Sequence, residues 1–305
     1  YEIRIGKETP EAAIHFGNRG LAIAENLKDV YLASKCLLGL AYMSTFAKGY
    51  QEARSLTLRL LALGREAGDP RTIGMGHYAS AWVELHHDHY HLAIDSAEES
   101  LRVSPDPLDR VTARSFLGVG LGLTSRVEEA LQILSEVRRE YLDGDFLIMR
   151  TVDFSIGAVM VLNGEWSAGI NFIDEATRRS SAWEYHFGVA IGKISLGEVY
   201  LQMVLRQEKV PFRTLVKNLG FIMTAMPFAA RNARRHLEEA VRVSRDFALP
   251  LLETRALTDL GLLCIDKKRW DEARKHLEEA RDIAELQNSP CLHEKILPAL
   301  ESLKR

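Results

Sequence analysis

Ala233-Arg234-Arg235-His236-Leu237-Glu238-Glu239-Ala240 and Ala273-Arg274-Lys275-His276-Leu277-Glu278-Glu279-Ala280 are near copies set forty residues apart. A self-match at that separation marks a repeat array, in which one supersecondary unit is stacked on the next. Working outward, a small residue stands twelve positions before the alanine or glycine that opens the second element of several units: Ala81 with Ala93, Leu117-Gly118 with Ala130, Ile156-Gly157 with Gly169, and Leu260-Gly261 with Ala273. Leu38-Gly39 with Tyr42 leads to Ala53 across a slightly longer turn. Leu196-Gly197 with Tyr200 reaches Ala233 after an insertion of about two dozen residues, so the chain reads as six units with an incomplete one in front.

Small residues on both elements let two helix backbones approach closely where they cross, and bulk there would push them apart. Between them the apolar residues recur at three and four, as in Leu117, Leu121, Leu131, Leu134 and Val137, which is helical periodicity rather than strand alternation. Helix starts are punctuated by Thr9-Pro10, Asp69-Pro70, Asp106-Pro107 and Ser289-Pro290, where a side-chain oxygen can accept a free backbone N–H and proline takes the first helical position. The expectation is an all-α, right-handed superhelical solenoid of helix hairpins. It forms a single repeat domain over 1–305: an incomplete first repeat at 1–29, regular repeats at 30–200, a basic helical insertion at 201–232, the last repeats at 233–288 and a capping helix at 289–305.

Leu196-Gly197-x-x-Tyr200 followed by Ala233-x-x-x-Leu237 resembles the tetratricopeptide repeat, whose pattern runs Leu-Gly, an aromatic three on, then Ala and a large apolar residue four on. The units here are about 37 to 42 residues long rather than 34, the tryptophan opening that motif is mostly missing, and Pro105 is the one clear end-of-repeat proline. HEAT-like repeats, with a period of about 40 to 47, remain the alternative. More narrowly, Leu196-Gly-Glu-Val-Tyr-Leu, Asn218-Leu-Gly-Phe, Pro227-Phe-Ala-Ala-Arg and the following His-Leu-Glu-Glu-Ala resemble the carboxy-terminal repeat region of large bacterial proteins. Those proteins join a class III adenylate or guanylate cyclase, an ATPase module and a tetratricopeptide array. The resemblance implies that catalysis belongs to domains preceding Tyr1, and that no catalytic residue lies in the chain.

Composition agrees with a packed globular module. Of 305 residues, 39 are Lys or Arg and 42 Asp or Glu, a net charge of −3 that argues against coating a nucleic acid. At 47% hydrophobic and 27% charged the chain is in the ordinary globular range. Uncharged apolar runs such as Phe221 to Ala230 are about ten residues, short of the ~18 to 20 that span a bilayer, so no membrane span is expected. Three scattered cysteines, Cys36, Cys264 and Cys291, suit a reducing compartment rather than a disulfide framework, and a cytoplasmic location is expected. The chain begins at Tyr1 without a signal sequence and reads as a piece of a longer protein.

Motifs that imitate catalytic chemistry are incomplete. Gly188-Val-Ala-Ile-Gly192-Lys193 has one residue too few for a phosphate-binding loop and Ile194 where Ser or Thr is needed; Gly118-Val-Gly120-Leu-Gly122 lacks the third spacing of a dinucleotide fingerprint and a preceding strand. His86, His87, His89 and His91, with Asp88, carry chemistry suited to zinc or nickel, but the repeat frame places them in a solvated turn where adjacent side chains diverge, so no metal site is expected. Cys264 stands where the repeat pattern wants an aromatic. No motif fixes an acid or histidine beside it, and both it and Cys36 are expected to be packing residues. His236 and His276 recur at one repeat position and are expected to be structural. No catalytic residue and no cofactor are expected.

Binding is expected on the first helix of each hairpin. By spacing, that face carries Met75, Tyr78, Trp82 and Leu85, then Thr112, Ser115 and Val119, then Thr151, Phe154 and Ala158. An aromatic anchor such as Trp82 would contribute on the order of 2 kcal/mol if a partner buried it. Packing against the neighbouring repeat is an equal alternative. The insertion is the second candidate: Leu201 to Arg235 holds seven basic residues against the single acid Glu208, a net of +6 that leaves −9 for the rest. Within it Phe212, Leu215, Val216, Leu219 and Ile222 recur at helical spacing, and Phe212, Arg213 and Lys217 are its candidate contact residues. That helix buries its apolar face against the array, or against a neighbouring domain, a second copy or an anionic surface. The reading is a non-catalytic protein-interaction and regulatory module of a bacterial signalling protein, engaging a protein, a peptide or neighbouring domains of its own polypeptide. The alternatives are the sensor arm of a transcription regulator and a homo-oligomerising scaffold.

Overall fold

A computed structural model describes residues 9–140, 147–205, 212–287 and 290–303, and among these every regular element is helical. The expected all-α solenoid of hairpins is what forms. By its internal contacts the chain divides into two compact units, residues 1–152 and 153–305.

The first unit holds α1 (Pro10–Asn26), α2 (Val30–Ala47), α3 (Tyr50–Ala67), α4 (Pro70–His86), α5 (Tyr90–Val103), α6 (Pro107–Leu123) and α7 (Val127–Glu140). Consecutive helices pack as hairpins, α2 on α3, α4 on α5 and α6 on α7, while the first helices of successive hairpins also touch, α2 on α4 and α4 on α6. The helix α8 (Leu147–Leu162) runs across the division point. The second unit continues with α9 (Trp166–Ala182), α10 (His186–Leu205), α11 (Phe212–Lys217) and α12 (Leu219–Ala225). A short 3-10 turn (Met226–Phe228) leads to α13 (Ala229–Asp246), α14 (Pro250–Asp266), α15 (Trp270–Leu286) and α16 (Pro290–Ser302). Here α10 pairs with α13 and α14 with α15, and α16 covers α14 and α15.

The crossings explain the spacing. A Cβ on Gly118 would lie 2.7 Å from Leu134 Cγ, one on Gly197 2.6 Å from Leu237 Cγ, and one on Gly261 2.6 Å from Leu277 Cγ. Each of those leucines stands four residues after the small residue of the partner helix and is fully enclosed. Where both crossing residues are glycine, the backbones touch: a Cβ on Gly157 would meet the Gly169 carbonyl oxygen at 2.9 Å, and the reverse contact would be 2.5 Å.

Two aspartate caps form as expected. Asp69 accepts from the N–H groups of Arg71 and Thr72 at 3.1 and 3.2 Å, and Asp106 from those of Leu108 and Asp109 at 2.9 and 3.2 Å. Thr9 precedes Pro10 without a side-chain cap bond. Most of the turns place their middle residue in the left-handed region without glycine: Lys28, Asp88, Ser125, Glu184, Ala248 and Lys268. In each the chain reaches back onto the preceding helix, as where Arg269 N–H donates to Cys264 O at 2.9 Å.

One expectation needs correction. The insertion does not form one amphipathic helix: Asn218 breaks it into α11 and α12, because its side-chain amide donates to Gly164 O and Thr214 O, both at 2.8 Å, and α13 then starts at Ala229. By length and composition alone, α2 and α10 are each apolar enough to cross a bilayer, which a search for uncharged runs misses because Lys35 in one, and Lys193 and Glu198 in the other, interrupt them. Both pack among neighbouring helices, and Lys193 pairs with Glu239 of α13.

Candidate functional site

The residues expected to line a groove are taken up by packing. Met75, Tyr78, Trp82 and Leu85 on α4 are all buried. Trp82 lies against Tyr42, Phe46 and Phe116, with ring centroids 4.8, 5.8 and 5.5 Å away, so it knits α2, α4 and α6 together. Thr112 and Ser115 are buried too and return their hydroxyls to Leu108 O and Val111 O on their own helix. Phe154 sits in a cluster with Ile170, Ile173, Ala176 and Leu196. Val119 and Ala158 are half-buried, and the side chain of Thr151 lies outside the described residues. A partner would reach the α4 side chains only after the hairpins part. Beside them is a polar cluster that spacing did not disclose: Arg71 on α4 reaches Asp106 at 3.0 Å and buried Asp109 at 3.8 Å, and burial raises the Asp109 pKa.

The histidine turn is packed rather than solvated. His87 is buried, and His89 Nδ1 lies 2.6 Å from the carboxylate of buried Glu84, which also accepts from Tyr50 Oη at 3.1 Å. His86 Nδ1 contacts Trp82 O at 2.8 Å, and its ring edges against Phe46. Only His91 points into solvent. His86 thus packs on Phe46 and Trp82, whereas His87 and His89 both pack on Tyr50.

The insertion is one of the places where apolar side chains are left exposed, as are Phe16 and Ile23 on α1. Asn218 pins it to the Gly164 carbonyl, Lys217 lies 3.5 Å from Glu165, and Phe221 packs against the Phe154 cluster. Val216, Leu219, Met223 and Phe228 are 57, 57, 69 and 55% exposed. The side chains of Phe212, Arg213 and Leu215 lie outside the described residues. The helical spacing in the sequence groups the apolar residues of this segment on one face, and the break at Asn218 divides them between two helices.

A second constellation lies between α14 and α15. Cys264 Sγ, a Glu272 carboxylate oxygen and a His276 ring nitrogen all lie within 4.8 Å of one another. Glu272 and His276 are one helical turn apart and so share a face of α15, which turns toward Cys264 on α14. Arg234 of α13 closes the group, its Nη2 3.4 Å from Sγ and 3.0 Å from Glu272 Oε2. Burial raises the Cys264 pKa, the bond from Arg234 lowers that of Glu272, and burial lowers that of His276. In the preceding repeat the corresponding positions hold Tyr200, Asn232 and His236. There the tyrosine and histidine rings lie parallel with centroids 5.9 Å apart, and burial followed by the nearby Lys193 and Arg235 pushes the His236 pKa down to about 4. Cys264 is buried, as expected of a packing residue, but an acid and a histidine that no motif marked stand beside it. The missed signal was the repeat itself: the aromatic position faces the residues one before and three after the small residue of the next helix.

No family model and no curated protein matches the chain. Among solved structures, the crystal structure of BtubC (BKLC) from P. vanneervenii is similar over 92% of each chain, at 15% identity and a TM-score of 0.44. A likeness of that degree carries no argument about function.

Proposed function

We propose that the chain is a non-catalytic protein-interaction module, and that its docking element is the insertion at 212–228. The observation that supports this reading most is the exposure of Val216 on α11 and of Leu219 and Met223 on α12, helices held to the array by Asn218 and Phe221. Side chains left more than half exposed on anchored helices would contribute about 1 kcal/mol or more each on burial by a partner. The element at 212–228 carries Arg213 and Lys217 and no acid in a chain of −3, so the matching partner is an amphipathic helix with an acidic rim. In keeping with the resemblance to cyclase-linked repeats, the partner belongs to a larger bacterial signalling protein, and occupancy of the insertion is what the array passes on.

The test is a photo-crosslinking amino acid at position 219 in the natural host. A discrete protein adduct, lost when Val216→Glu and Met223→Glu are added, supports the proposal. An adduct between two copies makes the module a self-associating scaffold instead. Flotation of the purified chain with anionic vesicles and no protein adduct assigns the face to a membrane surface. Neither adduct nor flotation removes the basis of the proposal.

A further inference from the structure

We infer that Cys264, Glu272 and His276 form a three-ligand site for a thiophilic divalent cation of the zinc type, with Arg234 and Arg269, which both pair with Glu272, as competing internal cations. This rests on the geometry between α14 and α15 and is independent of the docking proposal.

The ligand types come first. Thiolate, imidazole and carboxylate are the three side-chain donors that zinc uses, whereas magnesium and calcium take oxygen ligands, so a sulfur in the set selects against them. The spacing comes second. Zinc bonds of about 2.0 to 2.3 Å at tetrahedral angles put donor atoms roughly 3.5 Å apart. The three donors here already lie within 4.8 Å of one another, so small side-chain rotations bring them to that separation.

The scaffold comes third. The backbones that carry the donors are fixed next to them, since Gly261 and Leu277 form the crossing of α14 and α15 three residues before Cys264 and one after His276. His276 also has a buried Nδ1 with no hydrogen-bond partner among the described residues, so that nitrogen is not committed to another protein group.

The comparison within the chain comes fourth. The preceding repeat keeps the histidine but has Tyr200 and Asn232 at the other two positions, and its rings simply stack. Cysteine and glutamate enter together, at the two positions where they complete a ligand set.

Neither arginine forbids an ion. Arg234 also reaches Glu238 Oε1 at 3.3 Å, one turn along its own helix, and can withdraw to that carboxylate, while Arg269, on the other Glu272 oxygen, is half exposed and can turn to solvent. Binding would transfer the Cys264 thiol proton to buffer and form the metal–sulfur bond without any redox step. Three protein ligands leave the fourth position to water or to a donor atom from a partner.

The experiment is a titration of the purified, reduced chain with cobalt(II), read by thiolate-to-metal charge-transfer absorption and followed by displacement with zinc. One equivalent of cobalt should produce the band and one of zinc should remove it. Cys264→Ser should abolish it, while Cys36→Ser and Cys291→Ser should leave it unchanged. Glu272→Gln and His276→Gln should each weaken zinc by more than about 100-fold, beyond the cost of losing a merely supporting group. Arg234→Gln should tighten zinc about tenfold, the effect of removing one charge close to the ion. The histidine turn at 86–91 holds no sulfur and cannot give the band. Absence of the band, its survival in Cys264→Ser, or unchanged affinity in both the Glu272 and His276 variants overturns the proposal. If Cys264→Ser folds poorly, the variants at half-buried Glu272 and His276 decide it alone.

Discussion

The hairpins α10/α13 and α14/α15 are built alike and finished differently. Both cross at a Leu-Gly pair, with a fully buried leucine lodged against the glycine, and both carry His-Leu-Glu-Glu-Ala on the second helix. One turn along the first helix, however, Tyr200 lies parallel to His236, while Cys264 stands among Glu272, His276 and Arg234. The crossing admits almost no variation, since any added atom on the glycine meets the leucine. One turn away the side chains face a partly solvated edge where ring, thiol and carboxylate all fit. A repeat therefore keeps its fold in a few crossing residues and is free to change chemistry beside them.

If the two crossings are equivalent, Leu237→Ala and Leu277→Ala should cost the same. Each removes a fully enclosed leucine from a contact that cannot collapse far, for about 3 to 5 kcal/mol. Urea unfolding followed by circular dichroism measures both. A cost below about 1 kcal/mol at either one would show that the crossings are not held alike.

The next difference is in acid. The folded chain holds the His236 pKa near 4, through burial and the cations Lys193 and Arg235, against the opposing Glu239 and Asp174. An unfolded histidine titrates near 6.5, so between these values the unfolded state binds more protons than the folded one. Stability is full above about pH 6.5 and falls as the pH drops toward about 4. Urea midpoints at pH 7 and pH 5 should differ more for the native chain than for His236→Asn. Parallel losses in the two proteins would mean that His236 does not titrate as its surroundings dictate.

These two hairpins also show how far sequence carries. The twelve-residue spacing, the helix-opening prolines and the two aspartate caps disclose the fold because each reflects a local steric or hydrogen-bonding rule. Tyr78 and Trp82 were legible as a helix face but not as core, since burial depends on whether α2 and α6 close over α4. Neither contact has a sequence signature of its own. The Cys264 group needed one further step: overlaying His276 on His236 and asking what the other two positions of that trio had become. Asn218 could not be read at all, because its partner, the Gly164 carbonyl, is fifty-four residues away in sequence.

A smaller effect separates the trios. Tyr200 packs as a ring parallel to His236, and Tyr200→Phe, which keeps the ring, should change stability by less than about 1 kcal/mol. Cobalt binding at Cys264 should be unaffected, which thermal unfolding and the absorption titration check together. A shift in metal affinity would couple the two hairpins, contrary to their being finished independently.

The smallest change tests the turns that frame the two hairpins. Ala248 joins α13 to α14 at φ 49°, and Lys268 joins α14 to α15 at φ 57°, both in the left-handed region. A residue with a Cβ pays roughly 1 kcal/mol or more there. Glycine avoids that strain but loses more backbone freedom on folding, a cost of about 0.5 to 1 kcal/mol. The balance leaves Ala248→Gly stabilising by about 0.5 kcal/mol, with Lys268→Gly close behind, as a small rise in the urea midpoint would show. Lys268 has a long side chain and Ala248 none beyond Cβ, so equal gains would assign the whole effect to the backbone. A gain at one turn and a loss at the other would show that the side chain, and not the left-handed turn, distinguishes the two connections.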